Sequence, residues 1–474
     1  MRFSMSGLPA GLTLDAAAGI IRGTIAELAP RAHETTIVAT NARGRAERAF
    51  RIVVGDTLAL TPPMGWNDWY TFYTHPSDAL MRKAADIMIR SGMADHGYQY
   101  VNIDDAWMGK PKSEDSDEQG PPRDERGMIN ANRRFPDMKA MTNYIHGLGL
   151  KAGIYTSPGP LTCADYYGSW QHEAQDAARI VEWGFDFLKY DWCSYSEVPR
   201  PKPDVELERR QRPYRLMGGI LKQQPRDIVF NLCQYGMGDV WKWGGEVGGH
   251  SWRTTGDLGL EKDTRLPGFY SIGFKNAEHA EYAKPGQWND PDYILIGYVG
   301  NARSIDDPPK PTALTGHEQY SYMSMWVLMA APLFYSGDIT RLDPFTLGVL
   351  NNAEVIAVDQ DPLGRQGRVV RKTEDEFVLA KPMEDGSIAV GLFNLSETRR
   401  PITVTAAELG TSGRQRVRDL WRWKDLGTIA DDYTASVARH GVMLVRMWPV
   451  PSGMEVEASA STKGPRGNAP GSTR

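Results

Sequence analysis

The 474-residue chain reads as an α/β protein: a (β/α)8 TIM barrel, then an antiparallel β-sandwich domain, with a short β module in front. Three observations predict this. Eight apolar runs alternate with amphipathic stretches between residues 61 and 361. On both sides the texture changes to short alternating runs separated by turn residues, the pattern of antiparallel sheets. Four of the eight apolar runs end in carboxylates or their cationic partners, as strands do at the active face of a barrel.

Taken in order, residues 1–56 carry Leu14, Ile20-Ile21, the turns at Gly19 and Gly23, and the alternating runs 35–40 and 49–54. The segment GLPAGLTLDAAAGIIRGT resembles immunoglobulin-like modules found beside secreted bacterial glycosidases. Such a sandwich needs about seven strands, so the expectation is a partial module whose beginning, and any signal peptide, precede Met1; a genuinely short cap is the alternative. Residues 57–362 hold the barrel, with strands expected at Met64–Asp68, Tyr98–Asp105, Lys151–Thr156, Phe185–Cys193, Ile228–Gln234, Ser251–Asp257, Trp288–Ile296 and Ala330–Gly337. Amphipathic runs such as Ser77–Ser91 and Gln171–Trp183 supply helices between them. The polar stretch Gly109–Glu125 reads as an inserted surface loop. In 363–450 the runs 368–370, 377–380, 387–394, 402–405 and 441–446 describe an antiparallel domain. The last residues, 451–474, are rich in Ser, Gly, Pro and Ala and are expected to be disordered.

Composition narrows the function. A formal charge of −5 offers no basic field for a phosphate backbone, so nucleic acid is not an expected partner. The longest apolar stretch, Tyr322–Tyr335, is too short and interrupted to span a bilayer. Met1–Ser6 has one basic residue and no apolar run behind it, so no signal peptide is visible. Three cysteines without CxxC spacing and nine scattered histidines without HExxH argue against a metal site. The glycines of 147–153 lead into a strand rather than from a strand into a helix, a poor nucleotide loop. Nothing calls for a cofactor.

What remains is a set of carboxylates on one rim. The second strand ends in Asp104-Asp105, the fourth in Lys189-Tyr190-Asp191, the sixth in Arg253 and Asp257, and the seventh in Asp290 and Asp292. One strand-end Asp usually caps the next helix; four strands doing so together calls for another reason. Six tryptophans (Trp66, Trp69, Trp107, Trp192, Trp252, Trp288) fall in the same segments. Carboxylates with flat aromatic faces and no cofactor motif suit glycoside hydrolysis, which needs two carboxyl groups and no metal.

Eight segments, TPPMGWNDW (61–69), YVNIDDAW (100–107), GIYTSPGPLTCA (153–164), FLKYDWC (187–193), SWRTTGD (251–257), WNDPD (288–292), MAAPLFYSGD (329–338) and AVDQDPLGRQG (357–367), resemble glycoside hydrolase family 27, the melibiase-type α-galactosidases. The resemblance implies a retaining exo-glycosidase acting on terminal α-D-galactosyl groups through a covalent glycosyl-enzyme. It makes Asp191 the nucleophile and Asp257 the acid/base, with the carboxyls about 5–5.5 Å apart. Asp104 and Asp105 match the pair that takes the axial 4-hydroxyl and the 6-hydroxyl, and Lys189 the lysine at the 3- and 4-hydroxyls. Trp66 matches the tryptophan under the sugar, Tyr155 a wall of the pocket, and Arg253 the arginine near the 2-hydroxyl. Asp292 either lines the pocket or caps a helix. Cys163 and Cys193 match a disulfide beside the nucleophile, implying a secreted or periplasmic protein.

Some residues depart from the family pattern. Gln234 stands where many members carry a glutamate after the cysteine, which loses a charge facing Arg253 but keeps a hydrogen-bonding group. Cys233 has no partner, since Gly249 stands at the matching position, and is expected to be a buried thiol. Tyr293 replaces a common methionine and narrows the pocket. Within the family the alternatives are β-L-arabinopyranosidase, α-N-acetylgalactosaminidase and isomalto-dextranase. A catalytically silent carbohydrate-binding protein is disfavoured because Asp191 and Asp257 are both present.

Overall fold

The computed structural model describes residues 1–26, 29–200, 202–258, 265–300 and 308–450. The tail expected to be disordered, 451–474, lies outside them.

All eight expected barrel segments contain a parallel strand. In chain order these are Met64–Asn67, Tyr100–Asn102, Lys151–Thr156, Phe187–Asp191, Val229–Cys233, Ser251–Arg253, Trp288–Asp290 and Leu333–Tyr335. The first seven pair in sequence order, and the eighth pairs with the first. The ring closes just past the seventh strand, where Ile294 bridges Tyr335 in parallel. Nearly every strand residue is buried, as expected when side chains fill the barrel inside and helices cover it outside. The close fit shows at Gly153, where a Cβ would lie 2.0 Å from Oδ1 of Asn102 on the neighbouring strand.

The amphipathic runs become helices with readable ends. Ser77 accepts a hydrogen bond from Leu80 N and starts the helix Asp78–Arg90. Gln171–Trp183 yields the helix Glu173–Trp183, ended by Gly184 in the left-handed region. Gly316–Leu328 opens with a Thr315/Glu318 capping box and is buried on nearly all sides. Its burial has a reason: one side meets the barrel and the other meets the C-terminal sheet. No helix among the described residues is long and apolar enough to cross a membrane.

The C-terminal domain is a six-stranded antiparallel sheet facing a two-stranded one, Arg400–Val404 with Tyr433–Val437. Period-two alternation divides the work of the strand Glu376–Pro382. Phe377 and Leu379 join the barrel's core, while Val378 and Ala380 join Ile402, Val404 and Val437 inside the sandwich. At the other end, residues 1–54 form five strands, a three-stranded sheet plus the hairpin Leu12–Asp15 with Ile20–Gly23. Among their described residues only Pro9 and Thr35 are buried, so this module has little core of its own. It leans on the barrel through Arg22, whose guanidinium donates to the carbonyls of His146 and Gly147 at 2.9 and 2.6 Å. Those carbonyls end the helix Met138–Gly147, where a cation is favoured.

The inserted stretch 109–125 is pinned rather than loose. Glu118, nearly buried, takes hydrogen bonds from Arg134, Ser113 and Tyr166, and Arg123 pairs with Asp176.

Candidate active site

The C-terminal ends of the strands converge on a small cavity lined by Trp69, Tyr70, Asp104, Tyr155, Cys163, Lys189, Asp191, Tyr235, Arg253, Asp257, Asp292 and Tyr293. Parallel pairing brings this about: Tyr155 lies beside Lys189, and Cys233 beside Asp191, on adjacent strands. Two larger clefts exist, one under the barrel at Thr57–Pro63 and one beside the inserted loop. Neither holds the converging carboxylates of the strand ends.

Asp104 and Lys189 form the polar floor. Oδ2 of Asp104 takes hydrogen bonds from Lys189 Nζ and Asn67 Nδ2 at 2.8 Å each, and from Tyr293 Oη at 3.2 Å. The ammonium also sits over the rings of Tyr155 and Tyr293, at 5.2 and 5.3 Å from their centroids. Burial works against the charge of Lys189, yet the Asp104 carboxylate beside it holds it well above the ordinary lysine range.

Asp191 ends the fourth strand and is almost fully buried. Its Oδ1 accepts from the Trp192 backbone N–H at 2.7 Å and from the Tyr235 hydroxyl at 2.6 Å. Burial raises its carboxyl above the usual range; Lys189 and the Tyr235 hydrogen bond pull it back, and Asp257 adds to the rise. Asp257 has other surroundings. It stands at the rim with its side chain 41% exposed, and Oδ1 accepts from Arg253 Nη2 at 3.1 Å.

Arg253 also pairs with Asp292, again at 3.1 Å. Asp292 is fully buried and accepts from Tyr70 Oη and from the backbone N–H of Leu258, the residue after Asp257. Asp292 is among the residues that line the cavity, and the hydrogen bond from Leu258 N also ties it to the Asp257 segment. Burial raises its carboxyl to about 6, against the pull of Arg253.

Three expected sugar-contacting residues lie outside the cavity lining. Trp66 is fully buried, and its indole N–H donates to Gly337 O. Asp105 lies past the end of the strand Tyr100–Asn102 and is not among the residues that line the cavity. It accepts from the backbone N–H groups of Ala106 and Ala164, fixing the loop that carries Cys163, and burial lifts its carboxyl to about 7. Gln234 turns its amide toward Met237 O and away from the cavity. Tyr155, Lys189 and Arg253 do line it.

The sequence marks Trp69 only as one of six motif tryptophans and gives no role to Tyr70 or Tyr235, yet all three line the cavity. Tyr235 follows Gln234 at a left-handed φ of 64°, and that turn swings the phenol onto Asp191. Cys163 and Cys193 form a disulfide with Cα atoms 5.0 Å apart, and Cys233 is a free buried thiol 3.9 Å from Arg253 Nη1. Among the described residues, the group whose ligand atoms could gather round a metal is Cys163, Asp191 and Cys193, and its two sulfurs are bonded to each other.

Comparison with known proteins adds a family to this geometry. The model of Alpha galactosidase A matches residues 61–361, and that of the Alpha galactosidase C-terminal beta sandwich domain matches 374–447. The chain belongs to glycoside hydrolase family 27, the melibiase-type family. An Ig domain model covers residues 1–55 ahead of the family's two domains. Alpha-galactosidase 2 of Arabidopsis thaliana is 37% identical over 82% of this chain and 90% of its own length. Among solved structures, alpha-galactosidase I from Mortierella vinacea superposes with a TM-score of 0.73 at 28% identity, covering 83% of this chain and 98% of that one. The alfa-galactosidase of Saccharomyces cerevisiae with raffinose superposes at 0.71 with 25% identity, covering 83% and 98%. As a member of this family the protein is a glycoside hydrolase.

Proposed function

We propose that the protein is a retaining exo-acting α-galactosidase in which Asp191 is the nucleophile and Asp257 the acid/base. One observation carries the division of labour: two carboxyl groups share a cavity but differ in surroundings. Asp191 is buried and clamped through one oxygen, whereas Asp257 stands at the rim with access to water. A nucleophile gains from fixed orientation, and an acid/base must meet first the leaving group and then the incoming water.

In the first half-reaction Asp191 attacks C1 while Asp257 gives its proton to the departing glycosidic oxygen. In the second, Asp257 takes a proton from water as that water attacks C1 and the bond to Asp191 breaks. The Asp104–Lys189 pair supplies an acceptor and a donor to adjacent ring hydroxyls, an arrangement suited to an axial 4-hydroxyl. A small cavity at the strand ends suits a terminal sugar. Raffinose, present with the yeast relative, exemplifies the substrate class. The disulfide next to Asp191 suits a protein working in an oxidising compartment outside the cytosol.

The experiment is azide rescue of Asp191→Ala and Asp257→Ala on p-nitrophenyl α-galactoside. Azide replacing the nucleophile inverts C1 once and yields β-galactosyl azide from Asp191→Ala. Azide entering after the glycosyl-enzyme has formed inverts it twice and yields α-galactosyl azide from Asp257→Ala. Wild-type turnover by Asp191→Ala, or the opposite pairing of products, would sink the assignment. A parallel panel with β-L-arabinopyranoside and α-N-acetylgalactosaminide tests the sugar.

A further inference from the structure

Both hydrogen bonds that Asp191 receives fall on the same oxygen. Oδ1 takes the Trp192 N–H and the Tyr235 hydroxyl, so Oδ2 is the oxygen left to attack. Tyr235 reaches this position by an unusual route. A bulky aromatic residue at a φ of 64° is a backbone outlier, and such outliers cluster where the surroundings over-determine them. Here Gly236 is pressed against Thr254 O, which a Cβ would meet at 2.3 Å, so the turn is held against the sixth strand's end. The phenol also lies 3.7 Å from Cys163 Sγ, beside the disulfide that braces the other side of Asp191.

We propose that Tyr235 is a positioning residue for the reaction, fixing Oδ1 of Asp191 as the non-attacking oxygen and holding it through the covalent intermediate. The inference rests on the reading of Asp191 as nucleophile. Attack by Oδ2 forms the bond to C1, the glycosidic bond breaks, and its electron pair leaves with the oxygen that Asp257 protonates. Oδ1 then becomes the carbonyl oxygen of the ester and still accepts from Tyr235 and Trp192. When water displaces the ester, the pair returns to a carboxylate whose developing charge meets the same two donors. The Tyr235 proton stays on Tyr235 throughout. Its service is therefore greatest in the second half-reaction, where Asp191 is the leaving group, and smaller in the first, where a donor on the carboxylate tempers its nucleophilicity.

Tyr235→Phe tests this, since it keeps the ring and deletes only the donor. With an aryl α-galactoside of good leaving group, kcat should fall about tenfold and KM should fall with it, while kcat/KM changes by less than about threefold, because the glycosyl-enzyme accumulates. A pre-steady-state burst of phenolate should grow, and the acid limb of kcat/KM should move to higher pH, since a carboxylate that loses a donor holds its proton more tightly. A loop merely loosened by the substitution would raise KM and leave the acid limb where it was; that result overturns the inference. As a second measurement on the unaltered enzyme, a fluorosugar-trapped glycosyl-enzyme should show the phenol within hydrogen-bond distance of the ester carbonyl, and a phenol turned away would overturn it too. If Asp191→Ala retains turnover, the reading beneath the inference fails; if Asp191→Ala is dead and Tyr235→Phe behaves as wild type, the inference alone fails.

Discussion

Arg253 and Asp292 form a buried ion pair, Nη2 to Oδ2 3.1 Å, and the same nitrogen reaches Asp257 at the rim. Asp292 thus draws on the charge that would otherwise fall wholly on Asp257, while its bond to Leu258 N fixes the backbone there. Asp292→Asn keeps the shape and removes the charge. Arg253 then bears on Asp257 alone, the carboxyl that must hand a proton to the leaving group. The expected outcome is a loss of kcat about tenfold larger on raffinose, whose alcohol leaving group needs the proton, than on p-nitrophenyl α-galactoside. Breaking the buried pair should also cost about 3 kcal/mol in unfolding free energy, measurable by urea titration. Equal losses on both substrates would refute the role in acid catalysis.

Which of these relationships the sequence could reveal depends on what each one rests upon. The barrel strands are legible because strands covered on both faces are apolar runs, and their ends are marked by the polar residues that follow. Asp191, Lys189 and Arg253 lie within or at the ends of such runs, so their arrival in one cavity follows from the barrel itself. Side-chain direction is harder to read. Asp104 and Asp105 are equally acidic and adjacent, yet one faces Lys189 and the other ties down the Cys163 loop. Trp66 looks like a sugar platform by type, yet it is fully buried, with its indole N–H on Gly337 O. Tyr235 depends on a left-handed turn that a run of Gly236, Gly238 and Asp239 makes locally plausible but whose aim only the packed loop decides.

The Cys163–Cys193 disulfide joins the third-strand loop to the residue two places after Asp191, closing a separation of 30 residues. Cys193 Sγ lies 3.3 Å from the Tyr155 hydroxyl, so the bridge also touches the cavity wall. Cys163→Ser with Cys193→Ser should remove about 3–4 kcal/mol by loop-closure entropy. Activity should fall further than stability alone explains, because Tyr155 and Tyr235 lose a fixed neighbour. Thermal unfolding and kcat/KM measured at a temperature where both forms are folded would check this; unchanged kcat/KM would confine the bridge to stability.

Lys189 tests the polar floor. Lys189→Met keeps much of the stem over Tyr155 and Tyr293 but leaves buried Asp104 with Asn67 and Tyr293 alone. An uncompensated buried carboxylate costs about 3–5 kcal/mol, so the variant should unfold at clearly lower urea. In kinetics, KM for α-galactosides should rise along with a fall in kcat, since a hydroxyl donor is lost and the pull on Asp191 weakens. Lys189→Arg should not restore activity, because a planar fork does not fit the space of a point charge between two rings. Full activity in Lys189→Arg would show that charge alone suffices.

His250 sets a pH limit far from the chemistry. Its Nδ1 accepts the backbone N–H of Phe230 at 2.9 Å, and burial, partly offset by Asp227, lowers its pKa from 6.5 to about 4. The folded protein therefore keeps this ring neutral in a range where the unfolded chain protonates it. Between pH 6.5 and about 4 the unfolded state binds more protons, so stability must fall as the pH falls through that window. The shift corresponds to about 3 kcal/mol at full extent. Replacing His250 with Asn should flatten this part of the stability curve relative to wild type, whatever the carboxylates contribute, because they are common to both proteins. Urea midpoints collected from pH 7 to pH 4 on the two proteins measure the difference directly, and parallel curves would place the acid sensitivity elsewhere.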